Sequence, residues 1–245
     1  MKSTMYNRDH TARATDVPKT IDREEIQIRQ MKYVDIFAAT KTSLATTDQD
    51  PMHQYLHVSP NTIIEQWLET IMYWIMWTSS IYTGCAWTID NGSANIGYVE
   101  PYKPRPILDK VLEYLAVLIM IIQTAIQSKE RTKRQNELRS NLRVHITESL
   151  GGRKNEVLYF RTVATLPMKQ GHGYGSTLTR IVTSLGNAQG KDIWLVSSNT
   201  AMNTGFYTKH GFVTVSNFEL GNENPSWKGS PIPIHIMVRR VPSNV

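Results

Sequence analysis

The chain has 245 residues, of which 40% are hydrophobic and 20% charged, and this suits a globular protein of one large domain or a domain with an insertion. The single Cys85 excludes an internal disulfide and favours a reducing compartment. The net charge of +6 admits nucleic acid as a partner, but no zinc-finger spacing, RNP motif or basic zipper supports one, so we expect none. Residues 1–20 are polar and lack the apolar core of a signal peptide. They predict a flexible tail on a cytoplasmic protein.

The first elements predict a strand followed by helices. Residues Glu25–Met31 alternate apolar and polar side chains, as in a strand, and Val34–Leu44 has a helical pattern. Asp50 and Pro51 indicate a turn. A long helix is predicted to start at Ser59, with Ser59 as its N-cap and Pro60 at the first helical position.

The middle of the chain predicts a hairpin and then two helices. Residues Ala86–Ile89 and Ala94–Val99 flank Asp-Asn-Gly, a strong turn signal. The stretch 107–127 is strongly apolar, and 128–143 is strongly charged. The apolar stretch is short for a membrane span, with acidic and basic residues at its start, so we expect a helix that covers the sheet or contacts a second copy. Attachment to a membrane surface is the alternative.

The last third predicts alternating strands and helices. A strand-like run at Val157–Leu166 precedes a glycine-rich stretch and a helix that ends near Gly186, a good residue for a helix C-terminus. Further strands are predicted at 193–198, 212–220 and 234–239, with a helix at about 200–209 and a polar loop at 221–231. This order predicts a mixed sheet with helices on both sides.

The glycine-rich stretch, Gln170 to Ser176, reads Gln-Gly-His-Gly-Tyr-Gly-Ser. A glycine loop between a strand and a helix suits a phosphate, because the first helical N–H groups have no partner within the helix. No Lys follows the glycines, as a P-loop requires, and their spacing is wrong for a dinucleotide fingerprint. Gln170, Gly173 and Gly175 do satisfy the pattern [Q/R]-x-x-G-x-[G/A].

This pattern resembles the pyrophosphate loop of the GNAT superfamily of acetyl-CoA-dependent N-acetyltransferases. A second segment, about 30 residues further on, is similar to the superfamily's N-x-x-F-Y-x-x-x-G-F. Its matching residues are Asn203, Phe206, Tyr207, Gly211 and Phe212. The resemblance implies an α+β, three-layer fold with a mixed, mostly antiparallel sheet of six to seven strands and helices on both faces. The domain would span 21–245, with a helical insertion at about 103–150 like that of fungal-type members.

The resemblance also implies the reaction and the site. The reaction would pass acetyl from acetyl-CoA directly to a small-molecule or peptide amine in a ternary complex, without a metal, in a monomer or homodimer. Tyr207 would be the general acid, because its phenol can protonate a departing thiolate. The residues implied to bind the cofactor are Val163, Ala164, Thr165, Gln170, Gly171, His172, Gly173, Tyr174, Gly175, Ser176, Asn203 and Tyr207.

The general base and the amine acceptor stay open in the sequence. The run Val157–Leu166 has no carboxylate, where the superfamily often has its base. Glu100, at the end of the third strand, is the base that we predict, and Glu156, His145 and His235 are further candidates by chemistry. Two alternative functions remain, namely a module that binds acyl-CoA without turnover and a membrane-peripheral acyltransferase.

Overall fold

A computed structural model of the protein describes residues 27–58, 62–101 and 107–242. The strands are β1 (Ile28–Gln30), β2 (Ala86–Ile89), β3 (Ala94–Val99), β4 (Leu158–Thr165), β5 (Ile193–Ser197), β6 (Val213–Leu220) and β7 (Ile232–Arg239). The helices are α1 (Ile36–Thr47), α2 (Pro51–Leu56), α3 (Ile63–Tyr82), α4 (Ile107–Ile126), α5 (Lys129–Leu150), α6 (Tyr174–Gln189) and α7 (Thr200–Lys209). The predicted tail 1–20 and the predicted helix start at Ser59 and Pro60 lie outside the described residues.

The strands form one seven-stranded sheet in the order β1-β2-β3-β4-β5-β7-β6, which confirms the predicted mixed sheet. Every neighbouring pair is antiparallel except β4 and β5. The predicted hairpin is confirmed as β2 and β3, which are joined by a 3₁₀ turn at Asp90–Gly92. The residues of the turn allow this tight reversal, because Asp90 and Asn91 adopt positive φ angles of 48° and 50°.

The parallel pair β4 and β5 separates soon after it starts. Leu158 pairs with Ile193 and Tyr159 with Trp194, and among the described residues the pairing of these two strands ends there. Farther along, the strand that pairs with β4 in the described part of the chain is β3, where Ile96 lies opposite Val163. The β5-facing edge of β4 beyond Tyr159 is therefore available to a ligand.

Helices cover both faces of the sheet, as predicted. On one face, Leu178 and Val182 of α6 and Tyr207 of α7 share a core with β3, β4 and β5. On the other face, a second core joins α2 and α5 to β5, β6 and β7. A third, smaller core joins α1 and α3 to β2 through Ala39, Trp77 and Ala86.

Two predicted features at the start of the chain need correction. The Asp50–Pro51 pair starts α2 instead of making only a turn. The Asp50 carboxylate accepts hydrogen bonds from the amides of Met52 (2.8 Å) and His53 (3.3 Å), and Pro51 needs no amide partner there. The following helix, α3, has Thr62 as its N-cap. The Glu65 amide donates to Thr62 Oγ1 while Glu65 Oε2 accepts from the Thr62 amide, which is a capping box.

The predicted end of α6 at Gly186 was wrong, because the helix continues to Gln189 and Gly190 ends it with a φ of 61°. Gly186 instead serves close packing. A Cβ at this position would lie 2.8 Å from Ile193 Cδ1 and 2.9 Å from the Lys191 carbonyl oxygen. Only a glycine lets α6 approach the start of β5 this closely.

Two helices, α4 and α5, occupy the chain between β3 and β4. We expected the apolar one, α4, to cover the sheet or to contact a second copy. It packs mainly on α3 and not on the sheet, and Leu112 is its one buried side chain. Many large apolar residues of α4 are exposed, from Ile107 at 82% to Met120 at 37%. Within the described residues, no helix is both long enough and apolar enough to cross a membrane.

Candidate active site

The glycine loop gives α6 an open N-terminus. Gly171 and Gly173 adopt φ angles of 81° and 82°, a left-handed conformation that favours glycine. A Cβ at either position would meet nothing within 4 Å, so the backbone angle and not crowding requires glycine here. Gly173 is the N-cap of α6, and no side chain among the described residues caps the helix. The first amides of α6 are thus available to an anion, and the helix dipole adds to the attraction.

The loop borders a cavity of about 700 Å³, which we call the loop cavity. It collects the predicted residues Val163, Ala164 and Thr165 from β4, Asn203 and Tyr207 from α7, and every residue from Gln170 to Ser176 except His172. Gln170 fastens the loop to the strand, because its Nε2 donates to the Thr165 carbonyl oxygen at 3.2 Å. The structure therefore brings together all but one of the predicted cofactor-binding residues.

The two aromatic side chains of the loop behave differently. The His172 ring is exposed and turns back onto its own loop, with Nδ1 2.9 Å from the Gln170 carbonyl oxygen. Tyr174 is buried in the core, and its hydroxyl donates to Asp90 Oδ2 at 2.7 Å. Tyr174 thus ties the loop to the hairpin turn, a structural role that the sequence did not reveal.

Tyr207, the predicted general acid, is buried at the wall of the loop cavity. Burial raises the pKa of its phenol, and the nearby Tyr159 and Asp50 raise it further. Within the described part of the chain, its hydroxyl makes no hydrogen bond. The hydroxyl therefore keeps its proton at neutral pH and can donate it to a group in the cavity.

Glu100, the predicted base, lies elsewhere. It borders a second cavity, of about 760 Å³, which we call the helix cavity because α3 and α4 form much of its wall. The Glu100 carboxylate is buried and accepts a hydrogen bond from Gln189 Nε2 at 3.3 Å, with Cys85 Sγ 3.8 Å away. Its role as base stays a prediction, and the structure does not bring it into the cavity that Tyr207 borders.

The other candidate bases lie outside both cavities. His145 Nδ1 is 2.7 Å from Ser216 Oγ, and the His145 ring stacks on Phe218. His235 is 3.4 Å from Thr214 Oγ1, and Glu156 is exposed. None of the three borders the loop cavity or the helix cavity.

A hydrogen-bonded group that the sequence reasoning missed lies where the two cavities meet. His53 borders the loop cavity, His57 and Glu69 border the helix cavity, and Tyr73 borders both. His53 Nε2 is 3.0 Å from Glu69 Oε1, and His53 Nδ1 is 3.2 Å from His57 Nδ1. The four-residue spacing of His53 and His57, just after Asp50–Pro51, was the one signal in the sequence.

We predicted no metal, yet His53, His57 and Glu69 are the one group among the described residues with ligand atoms close enough for an ion. Two features weigh against an ion. Arg131 Nη2 lies 3.0 Å from His57 Nε2, so a guanidinium charge stands directly beside the group. The facing nitrogens of His53 and His57 are also already within hydrogen-bond distance of each other. The hydrogen bonds account for the arrangement without an ion.

No family model matches the chain, and no curated protein does. Solved structures are similar in fold. Arylalkylamine N-acetyltransferase 2 from Aedes aegypti is 13% identical, with a TM-score of 0.56 over 88% of this chain and 99% of that one. A mosquito arylalkylamine N-acetyltransferase like 5b is 16% identical, with a TM-score of 0.56 over 88% and 99%. Drosophila melanogaster polyamine N-acetyltransferase is 11% identical, with a TM-score of 0.54 over 89% and 100%.

These similarities, at such low identity, concern the fold. The seven-stranded mixed sheet with helices on both faces is the fold of the GNAT acetyltransferases, as the glycine loop and the Tyr207 segment predicted.

Proposed function

We propose that this protein transfers the acetyl group of acetyl-CoA directly to an amine. One observation carries the proposal. The glycine loop, the separated edge of β4 and the buried Tyr207 all border a single cavity. The fold alone would not support this reaction, because one fold can host many functions. The three features together supply an anion site, main-chain partners for an extended arm and a proton donor.

Acetyl-CoA fits the residues of the loop cavity. The amides at the start of α6 would hold its diphosphate, with the left-handed Gly171 and Gly173 shaping the approach. The main chain of Val163, Ala164 and Thr165 would hold and orient the pantetheine arm along the β5-facing edge of β4. When bound, acetyl-CoA would supply an acetyl group activated as a thioester.

The remaining chemistry falls to protein groups. The reaction forms a carbon–nitrogen bond, breaks a carbon–sulfur bond, and takes two protons from an ammonium nitrogen while giving one to sulfur. Tyr207 would give its proton to the departing sulfur, because its protonated phenol borders the cavity that would hold the thioester. Holding both reactants side by side would replace a bimolecular collision with a positioned reaction.

A thiol-release assay tests the proposal directly. Purified protein and acetyl-CoA are mixed with polyamines, aminoglycosides, aryl and arylalkyl amines, or basic peptides, and free thiol is followed over time. We expect release that depends on an amine, with the acetylated amine detected by mass spectrometry. The similar structures named for arylalkylamines and polyamines make those two classes the first choice. A silent panel beside tight acetyl-CoA binding would instead favour a module that binds acyl-CoA without turnover.

A membrane-peripheral acyltransferase is the second candidate, because α4 exposes many large apolar side chains. Patches of this kind often mark an interaction site. The basic run of α5 lends less support, since Arg131 and Arg134 are held in ion pairs with Glu65 and Glu130. Flotation with liposomes separates the two candidates. Partitioning at physiological salt would support membrane attachment, and a protein that stays wholly in the unbound fraction would oppose it.

A further inference from the structure

The helix cavity adjoins the loop cavity along α3. Tyr73 of α3 borders both cavities, and its hydroxyl is 2.7 Å from Oγ1 of Thr47, which borders the loop cavity. Four residues earlier on the same helix face, Glu69 borders the helix cavity and is 3.0 Å from His53 of the loop cavity. A group held at Glu69 would thus lie next to the cavity that contains Tyr207.

The hydrogen bonds that link Arg131, His57 and His53 to Glu69 can run in only one direction when both imidazoles are neutral. A guanidinium can only donate, so Arg131 Nη2 donates to His57 Nε2 at 3.0 Å. The proton of His57 is then on Nδ1 and is donated to His53 Nδ1. The proton of His53 is in turn on Nε2 and is donated to Glu69 Oε1. This chain of donors ends on Glu69 and favours its carboxylate form.

The charge states agree with this direction. Burial, with the neighbouring His53 and Arg131 adding to its effect, lowers the pKa of His57 to about 4, so the ring is neutral at physiological pH. Partial burial of Glu69 acts to raise its pKa, but the hydrogen bond that His53 donates and the positively charged surroundings that include Arg131 lower the pKa overall. Glu69 is therefore an ionised carboxylate at the wall of the cavity.

A second observation points to a ligand in the helix cavity. Ser80, which borders it, is 2% exposed, and its Oγ has no hydrogen-bond partner among the described residues. A buried hydroxyl of this kind is costly unless a ligand or water satisfies it. Ser80 lies two turns of helix beyond Tyr73, away from the place where the two cavities meet. The body of a molecule whose polar end is held at Glu69 would lie beside it.

The lining selects an organic cation with an apolar body. Four carboxylates, Glu69, Glu100, Asp109 and Glu113, border the helix cavity against two guanidinium groups, Arg131 and Arg161, in a chain whose net charge is +6. The apolar side chains of the wall include Met72, Ile75, Met76 and Leu112. A volume of about 760 Å³ accommodates a small organic molecule.

We propose that the helix cavity binds the acceptor as a primary ammonium ion with an apolar body, and that Glu69 receives its nitrogen and takes one of its protons. This rests on the proposed acetyl transfer. Of the two protons that the nitrogen loses, one replaces the proton that Tyr207 gives to sulfur, and the other leaves to solvent. Glu69 suits this role better than Glu100, because its carboxylate is bonded to a residue of the loop cavity, whereas Glu100 is bonded to Gln189.

The test measures amine binding apart from acetyl transfer. Calorimetry of the full chain with tryptamine, phenethylamine and octylamine, without acetyl-CoA, should detect binding of at least one. Glu69→Gln should weaken that binding by about tenfold or more, because it removes the charge that faces the ammonium. The neutral N-acetyl derivative of the same amine should bind both proteins equally. Glu148→Gln, on the exposed part of α5, is the matched control and should change nothing.

A second variant covers the possibility that Glu69→Gln lowers stability. Ala116→Phe on α4 should fill part of the cavity and abolish amine binding, while the affinity for acetyl-CoA stays unchanged. Absence of binding by all three amines, or binding that neither variant weakens, would overturn the proposal. The outcomes separate the two proposals. Binding that depends on Glu69 without thiol release would refute only acetyl transfer, and transfer that is indifferent to Glu69→Gln would refute only the role of Glu69.

Discussion

The loop cavity and the helix cavity are of similar size but are built in different ways. Backbone groups dominate the part of the loop cavity that we propose binds acetyl-CoA, namely the amides at Gly173–Ser176 and the edge of β4 at Val163–Thr165. Side chains from α3 and α4 make most of the helix cavity. A backbone site needs glycines at fixed positions and therefore leaves a motif in the sequence. A side-chain site uses residue types that also form ordinary helix cores, so a single sequence does not reveal it.

The largest expected effect is on the affinity of the loop cavity for acetyl-CoA. Gly173→Glu would place a carboxylate at the open N-terminus of α6, where the proposed diphosphate is held. Repulsion at about 4 Å near a protein surface is worth several kcal/mol, so the affinity for acetyl-CoA should fall by about two to three orders of magnitude. Calorimetry with acetyl-CoA measures this loss.

Gly190→Glu provides the matched control for backbone strain. Gly190 also has a positive φ, of 61°, and an added Cβ there would meet nothing within 4 Å, but it lies at the other end of α6. Both variants should lose about 1–2 kcal/mol of folding free energy from the left-handed backbone. Only Gly173→Glu should lose acetyl-CoA binding. Equal affinities in the two variants would remove the loop from the cofactor site.

The next effect tests the one side chain on which the loop cavity depends for chemistry. Tyr207→Phe removes the proposed proton donor but keeps the buried ring, so turnover should fall by about 100-fold while the affinity for acetyl-CoA stays the same. Steady-state thiol release and calorimetry measure the two quantities. Tyr159→Phe is a suitable control, because that phenol is also in the interior, stacked on Trp194, but borders neither cavity. Undiminished turnover in Tyr207→Phe would exclude it as the acid.

The same contrast explains how much of the molecule the sequence predicted. The alternating strands, the Asp-Asn-Gly hairpin and the glycine loop are local signals, and the structure has all of them. Gly186 was misread because a glycine near a helix end usually ends it, whereas here the glycine makes room for Ile193, a contact between separate elements. Local sequence cannot show which of these two uses a glycine serves.

The two cavities also differ in how far their residues could be predicted from the sequence. Eleven of the twelve residues that the two motifs predicted for the cofactor border the loop cavity, and the exception is His172. His53 and Glu69 could not, since they lie 16 positions apart on different helices and meet only through tertiary packing. The choice of Glu100 as base relied on its place at a strand end, and that place faces the helix cavity. A group of side chains contributed by two helices can therefore be identified only from the structure.

The smallest expected effect is a dependence of stability on pH. It concerns only the helix cavity, because the proposed role of Glu69 there requires a neutral His57. The folded pKa of His57 is about 4, below its ordinary 6.5, so between these values the unfolded chain binds a proton that the folded chain does not. The stability from the neutral ring is complete above pH 6.5 and is lost as the pH falls towards 4. Because the ring is only half-buried and solvent screens it, we expect about 1 kcal/mol.

Urea unfolding of the wild type and of His57→Gln, each at pH 7 and pH 4.5, isolates this contribution. Other groups titrate in the same interval, but both proteins contain them. Their effect cancels when the loss of unfolding free energy between pH 7 and pH 4.5 is compared between the two proteins. The wild type should lose about 1 kcal/mol more than the variant on acidification. Amine affinity should weaken with it, since a charged His57 would repel Arg131 and disrupt the donor chain that ends on Glu69. If both proteins lost the same stability on acidification, protonation of His57 would have no effect on the chain of hydrogen-bond donors. That chain would then not stabilise the ionised form of Glu69.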